Sequence, residues 1–111
     1  MERTDESVGH LYNPLHPAVL RILWRTIRAA QRVSCPIALC GEMAANARYT
    51  RLLLGMGLRE FSVPPSALPE IKQVIRDSHS ADLRRRVKRL MSWRDIDKIS
   101  GVIEELNIAA S

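Results

Sequence analysis

Pro36-Ile37-Ala38-Leu39-Cys40-Gly41 is a short apolar run bounded by a proline and a glycine, too short for a helix and suited to a buried parallel strand. Glu60-Phe61-Ser62-Val63, closed by Pro64-Pro65, is a second run of the same kind. Between them, Asn46 can cap a helix over Ala47 to Met56 that stops at Gly57. Upstream, Pro17 suits the first turn of a helix, and Val19, Ile22, Leu23, Ile27 and Ala30 recur at helical spacing until near Arg32. Strand, helix, strand with helices on either side implies parallel strands joined by right-handed crossovers.

Further along, a helix from about Pro69 carries Leu68, Ile71, Val74 and Ile75. Ser80 stands where a cap would start another helix, with Leu83, Val87, Leu90 and Met91 as its apolar arc and Arg84, Arg85, Arg86, Lys88 and Arg89 on the remainder. Ser92-Trp93-Arg94-Asp95 reads as a capping box before a last helix striped by Ile96, Ile99, Ile103 and Leu106. The expected architecture is α/β, with two short parallel strands and about five helices. Two strands are too few for a self-sufficient sheet, and both would expose edges, so the chain reads as part of a larger α/β structure.

At 111 residues there is room for one core. No apolar run approaches the roughly 18 residues needed to span a bilayer, and the polar start Met1-Glu2-Arg3-Thr4-Asp5-Glu6 is unlike a secretory signal, so the expected compartment is the cytoplasm and no membrane partner is expected. The cysteines Cys35 and Cys40 are too few for a disulfide framework, and without a Cys/His cluster at ligand spacing no metal site is expected. A net charge of +5 raises the question of an anionic partner. The run Arg84 to Arg89 is the place to look, and its plain reading is a solvated helix face. No nucleic-acid fold or aromatic interleaving accompanies it, so no specific nucleic-acid binding is expected. Trp24 and Trp93 are expected to seal helix contacts; His10, His16 and His79 are not spaced as a metal site.

Three stretches, in this order and spacing, carry a resemblance: His10-Leu11-Tyr12-Asn13-Pro14-Leu15-His16-Pro17-Ala18-Val19-Leu20, Leu39-Cys40-Gly41-Glu42-Met43-Ala44, and Leu52-Leu53-Leu54-Gly55-Met56-Gly57-Leu58-Arg59-Glu60-Phe61-Ser62. They resemble the C-terminal part of the phosphoenolpyruvate-binding (β/α)8 barrel of the phosphoenolpyruvate–protein phosphotransferases, that is, enzyme I of the bacterial sugar phosphotransferase system and its nitrogen-linked relative. The resemblance implies a C-terminal fragment of a TIM barrel. Residues 1–79 would be its last strand–helix units and residues 80–111 a helical extension of the same domain. It implies further that the complete, homodimeric enzyme moves the phosphoryl group of phosphoenolpyruvate onto a histidine, with Mg2+, releases pyruvate, and passes the group to a histidine-containing phosphocarrier protein.

Cys40 matches the family's proton donor, which converts the departing enolate to pyruvate. An ordinary thiol, with a pKa of about 8.5, is mostly protonated near neutrality and can donate. The C-terminal end of a barrel strand is where such sites sit. Without the resemblance, a cysteine ending an apolar strand is most often a small buried hydrophobe. Gly41 would let the backbone approach substrate closely, and Glu42 could orient groups nearby. Cys35, between helix and strand, is expected to be inert.

Ala45-Asn46 stand where the family has a small residue and an aspartate, and Pro64 where it has a serine. The family's phosphate-binding arginines, magnesium ligands and phosphorylated histidine have no counterpart in these residues, so the piece alone is expected to be inactive. Two functional readings stand at this point: a piece of the phosphotransferase, or an inactive helical binding module whose basic face meets an acidic partner or nucleic acid.

Overall fold

The computed structural model describes residues 14–109; His10 and the first residues of the His10 to Pro17 loop lie outside them. Among the described residues, six α-helices accompany one two-stranded parallel sheet, the arrangement of an α/β fragment. Helix α1 (Pro17–Arg32) leads into β1 (Ala38–Leu39). A short α2 (Glu42–Ala45) and a 3-10 turn (Ala47–Tyr49) precede α3 (Thr50–Met56). Then come β2 (Glu60–Phe61), α4 (Leu68–Arg76), α5 (Ser80–Leu90) and α6 (Ile96–Ala109).

Local chemistry explains most boundaries. His16 precedes α1, and its Nδ1 accepts from the Ala18 N–H at 3.1 Å, while Pro17 fills the position that needs no donor. Gly57 ends α3 in the left-handed conformation, φ 105°, which glycine adopts without the Cβ penalty. Arg59 adds a second stop by donating from Nη1 to the carbonyls of Leu54 and Leu58 at 3.1 and 2.9 Å. Asp95, rather than Ser92, caps α6: its Oδ1 accepts from the Asp97 N–H at 2.9 Å, and Ser92 Oγ instead donates to the Arg89 carbonyl. Likewise Ser80 is the first residue of α5, His79 holds the cap position, and no side chain among the described residues caps that end. Asn46 does cap, through Oδ1 to the Arg48 N–H, but it caps the 3-10 turn that feeds α3.

Helix α3 is the centre of the molecule, and all seven of its residues are buried. Leu52, Leu53, Leu54 and Met56 meet Leu83, Val87 and Leu90 of α5, Ile99, Ile103 and Leu106 of α6, and Leu20 and Ile27 of α1 in one cluster. The crossing of α3 and α5 is close because Gly55 faces α5. A Cβ there would clash with Val87 Cγ2 and stand 2.8 Å from the Leu83 carbonyl oxygen. Trp24 and Trp93 are half-buried against the cluster, and Arg28 lies 5.2 Å over the Trp24 ring.

Several expectations about burial change. In α1 the core residues are Leu20 and Ile27, while Ile22 is 65% exposed. In α4 only Ile71 is buried; Leu68 and Ile75 are exposed. In α1 the buried face is turned away from the expected stripe, toward Leu20, which that stripe omits; in α4 the neighbouring helices cover only part of the apolar arc. The strands also are not buried on both faces. Ile37, Leu39 and Phe61 are half-buried against the core, whereas Ala38, Cys40, Glu60 and Ser62 are exposed. One layer of helices covers one face of the sheet, and nothing among the described residues covers the other.

Candidate functional site at the C-terminal end of the strands

β1 and β2 run parallel with Ala38 opposite Glu60 and Leu39 opposite Phe61. The ladder continues one step, as the Ser62 N–H donates to the Leu39 carbonyl at 2.8 Å. Cys40 is the next residue of β1, so it and Ser62 stand together at the C-terminal edge of the sheet, both exposed. Period-two alternation along a strand places Cys40 on the same, open face as Ala38.

Immediately after Cys40 the chain makes a turn that only glycine takes readily. Gly41 has φ 87° and ψ −168°, an extended conformation of the wrong hand for a side chain, and a Cβ there would meet nothing within 4 Å. The requirement for glycine is therefore backbone conformation rather than space. This turn aims the chain away from the sheet into α2, where Met43 and Ala44 are buried and Glu42 is exposed as the first helical residue. Cys40, Gly41 and Glu42 thus form one exposed corner, anchored below by β1 and behind by Met43 and Ala44.

A polar network braces the segment that follows the corner. Arg48 Nε donates to Glu104 Oε1 at 2.7 Å, its Nη2 to Ser100 Oγ at 3.0 Å, and its Nη1 to the Tyr49 hydroxyl at 3.3 Å. The hydrogen bond to Glu104 holds the Arg48 pKa above its ordinary value. Asn107 Nδ2 donates to the Arg48 carbonyl at 3.2 Å, and Asn107 Oδ1 accepts from Nη1 of the buried Arg51 at 3.0 Å. Helix α6 is in this way tied to the turn that carries the cap Asn46. Sequence reasoning missed Ser100, Glu104 and Asn107 as partners: more than fifty residues separate them from Arg48 and Arg51, and no local pattern links them.

Cys35 lies at the other end of the sheet. It lines a pocket of about 370 Å³ together with Gln31, Gly57, Arg59 and Glu60, beside the N-terminal ends of both strands. Cys40 and Cys35 are therefore not brought together. His16 is a helix cap and His79 flanks α5. Of the basic run, Arg84, Arg85, Lys88 and Arg89 are exposed, and Asp82 pairs with Arg85 at 3.2 Å and Arg86 at 3.9 Å. No helix among the described residues is long and apolar enough to cross a membrane.

A family model described as "PEP-utilising enzyme, PEP-binding domain" matches residues 1–80. Curated relatives named phosphoenolpyruvate-protein phosphotransferase match nearly the whole chain. That of Cupriavidus necator is 45% identical over 106 residues, 96% of this chain and 18% of the relative. That of Haemophilus influenzae is 37% identical over 105 residues, 95% of this chain and 18% of the relative. That of Buchnera aphidicola subsp. Baizongia pistaciae is 35% identical over 103 residues, 93% of this chain and 18% of the relative. The chain thus spans less than a fifth of the length of these relatives. Its residues 1–80, including the Cys40–Gly41–Glu42 corner, place it in the family of PEP-utilising enzymes, within their PEP-binding domain.

Proposed function

We propose that the chain is a C-terminal piece of a phosphoenolpyruvate–protein phosphotransferase and supplies its general acid, Cys40. The observation that carries this reading is the position of Cys40: exposed, at the C-terminal end of a parallel strand, on the sheet face that no helix among the described residues covers. In a (β/α)8 barrel the helices cover the outer face, the inner face looks into the barrel, and reacting groups stand at the C-terminal ends of the strands. Residues 1–79 are then the last strand–helix units, and residues 80–111 an extension of the same domain. The packing of α5 on α3 and the Arg48–Glu104 pair support treating them as one unit.

The chemistry is a phosphoryl transfer in which the P–O bond of phosphoenolpyruvate breaks and the phosphorus bonds to a histidine nitrogen of the complete protein. The pair of electrons left on the enolate takes the Cys40 thiol proton at carbon, giving pyruvate, and solvent returns a proton to the thiolate. Gly41 brings backbone close to the substrate without a side chain in the way, and Glu42 orients groups around it. Magnesium belongs to the complete enzyme in this reading. Among the described residues no three His, Cys, Asp or Glu side chains converge to hold it, so no step is assigned to a metal here. The carrier that takes up the phosphoryl group is a histidine-containing protein, the assembly a homodimer, and the compartment the cytoplasm.

The test is Cys40→Ala in the complete enzyme, followed by pyruvate formation in a single turnover and by phosphoenolpyruvate binding. Pyruvate formation should fall by about 10²–10⁴, the usual contribution of a positioned general acid, with binding little changed. Cys35→Ala should be nearly silent. Turnover of Cys40→Ala within a few-fold of the parent would refute the assignment, and equal damage from both substitutions would point to folding instead.

A further inference from the structure

A second site lies apart from the Cys40 corner, in the extension beyond the residues that the family model matches. Between α5 and α6 is a pocket of about 140 Å³ lined by Arg86, Arg89, Leu90, Trp93, Val102 and Glu105. Leu90 is buried, and Trp93 and Val102 are half-buried against the core, so the depth of the pocket is apolar. Arg89 and Glu105 are exposed and form its polar margin, with Arg86 half-buried one turn away from Arg89.

The charges of this pocket are not used up by the fold. Among the described residues Arg86 reaches only Asp82, at 3.9 Å. Arg89 and Glu105 line the same pocket yet form no ion pair with each other among the described residues. Two guanidiniums on α5 offer a fork for a carboxylate, and the carboxylate of Glu105 on α6 offers a partner for an ammonium group. The indole of Trp93 with Leu90 and Val102 offers contact for a short hydrocarbon. A cavity of about 150 Å³ takes up benzene, so the apolar depth of this pocket suits a hydrocarbon group of roughly four to six carbon atoms, with the charged groups of a ligand at its open margin. A plain carboxylate would set its charge against that of Glu105, and a plain amine would set its charge against those of Arg86 and Arg89. We propose that this pocket binds a small α-amino acid with an apolar side chain.

The experiment uses the complete enzyme of which this chain is a piece. L-leucine is titrated by isothermal calorimetry, with 4-methylpentanoate and isoamylamine as probes that each lack one charge. The expected result is saturable binding of leucine, and binding about ten- to a hundredfold weaker for either half-charged probe, the scale of one lost charge-assisted contact. Arg89→Gln should weaken leucine by a similar factor. Glu105→Gln should abolish the preference for leucine over 4-methylpentanoate. Both side chains are exposed, so circular dichroism should show an unchanged fold. The proposal is overturned by any of three results: no saturable response to leucine, equal binding of the half-charged probes, or an Arg89→Gln protein that binds as before.

Discussion

Replacing glycine by alanine at two helical positions should move stability in opposite directions, and the structure sets both sizes. At Gly55 the new methyl group would stand 2.8 Å from the Leu83 carbonyl oxygen and 3.0 Å from Val87 Cβ, besides clashing with Val87 Cγ2. Neither a backbone carbonyl nor a β-carbon can swing aside, so α5 would have to retreat by roughly 0.7 Å to bring the carbonyl contact back to about 3.5 Å. That retreat loosens Leu83, Val87 and Leu90 together against α3. Overpacking of this kind costs about 1–3 kcal/mol, while alanine in place of glycine returns about 1 kcal/mol of helix propensity. Because the obstructing atoms are rigid, the upper half of the overpacking range applies, and Gly55→Ala should be destabilised by about 1–2 kcal/mol. At Gly101, in α6, a Cβ would meet nothing within 4 Å, so only the propensity gain of up to about 1 kcal/mol remains. In a chain of this size the two melting temperatures should bracket the parent, with Gly55→Ala lower by about 5–15 °C and Gly101→Ala higher by a few degrees. Urea unfolding followed by circular dichroism, with the slope of the transition checked for constancy, measures both. A Gly55→Ala protein as stable as the parent, or two variants that shift the same way, would refute the account of the α3–α5 crossing.

Other expectations follow from local geometry. Gly41→Ala should cost about 1–3 kcal/mol of stability from backbone strain alone, since no neighbour lies within 4 Å of the added carbon; an unchanged melting curve would mean the turn is not held as described. Asp95→Ala should remove the cap of α6 and cost about 1 kcal/mol, read by urea unfolding, whereas Ser92→Ala should cost less, because the Ser92 hydroxyl bonds back to the Arg89 carbonyl and not to α6. If Ser92→Ala proves the more damaging of the two, the capping assignment is wrong.

Three local signals are legible in the amino-acid sequence alone: Pro17 opening α1, Gly57 closing α3, and the stripes Leu83–Val87–Leu90 and Ile99–Ile103–Leu106. Each rests on a property of one residue or on helical period, and none depends on what lies across the core. Cys40 at the end of a strand is legible for the same reason. So is the parallel pairing, since a helix between two short strands leaves the chain no tight turn to return by.

What only tertiary structure decides is whatever depends on the neighbour. The neighbours decide where a helix turns its buried face and how much of an apolar arc they cover, so α1 buries Leu20, outside the expected stripe, and exposes Ile22, while Leu68 and Ile75 of α4 are left uncovered. Gly55 reads in sequence as a weak point of a helix and becomes, against Leu83 and Val87, the contact that lets two helices touch. The Arg48–Glu104 and Arg51–Asn107 bonds join residues 56 positions apart in each case. Side chains that far apart meet only after the chain has collapsed on α3, and for that reason no local pattern announces them.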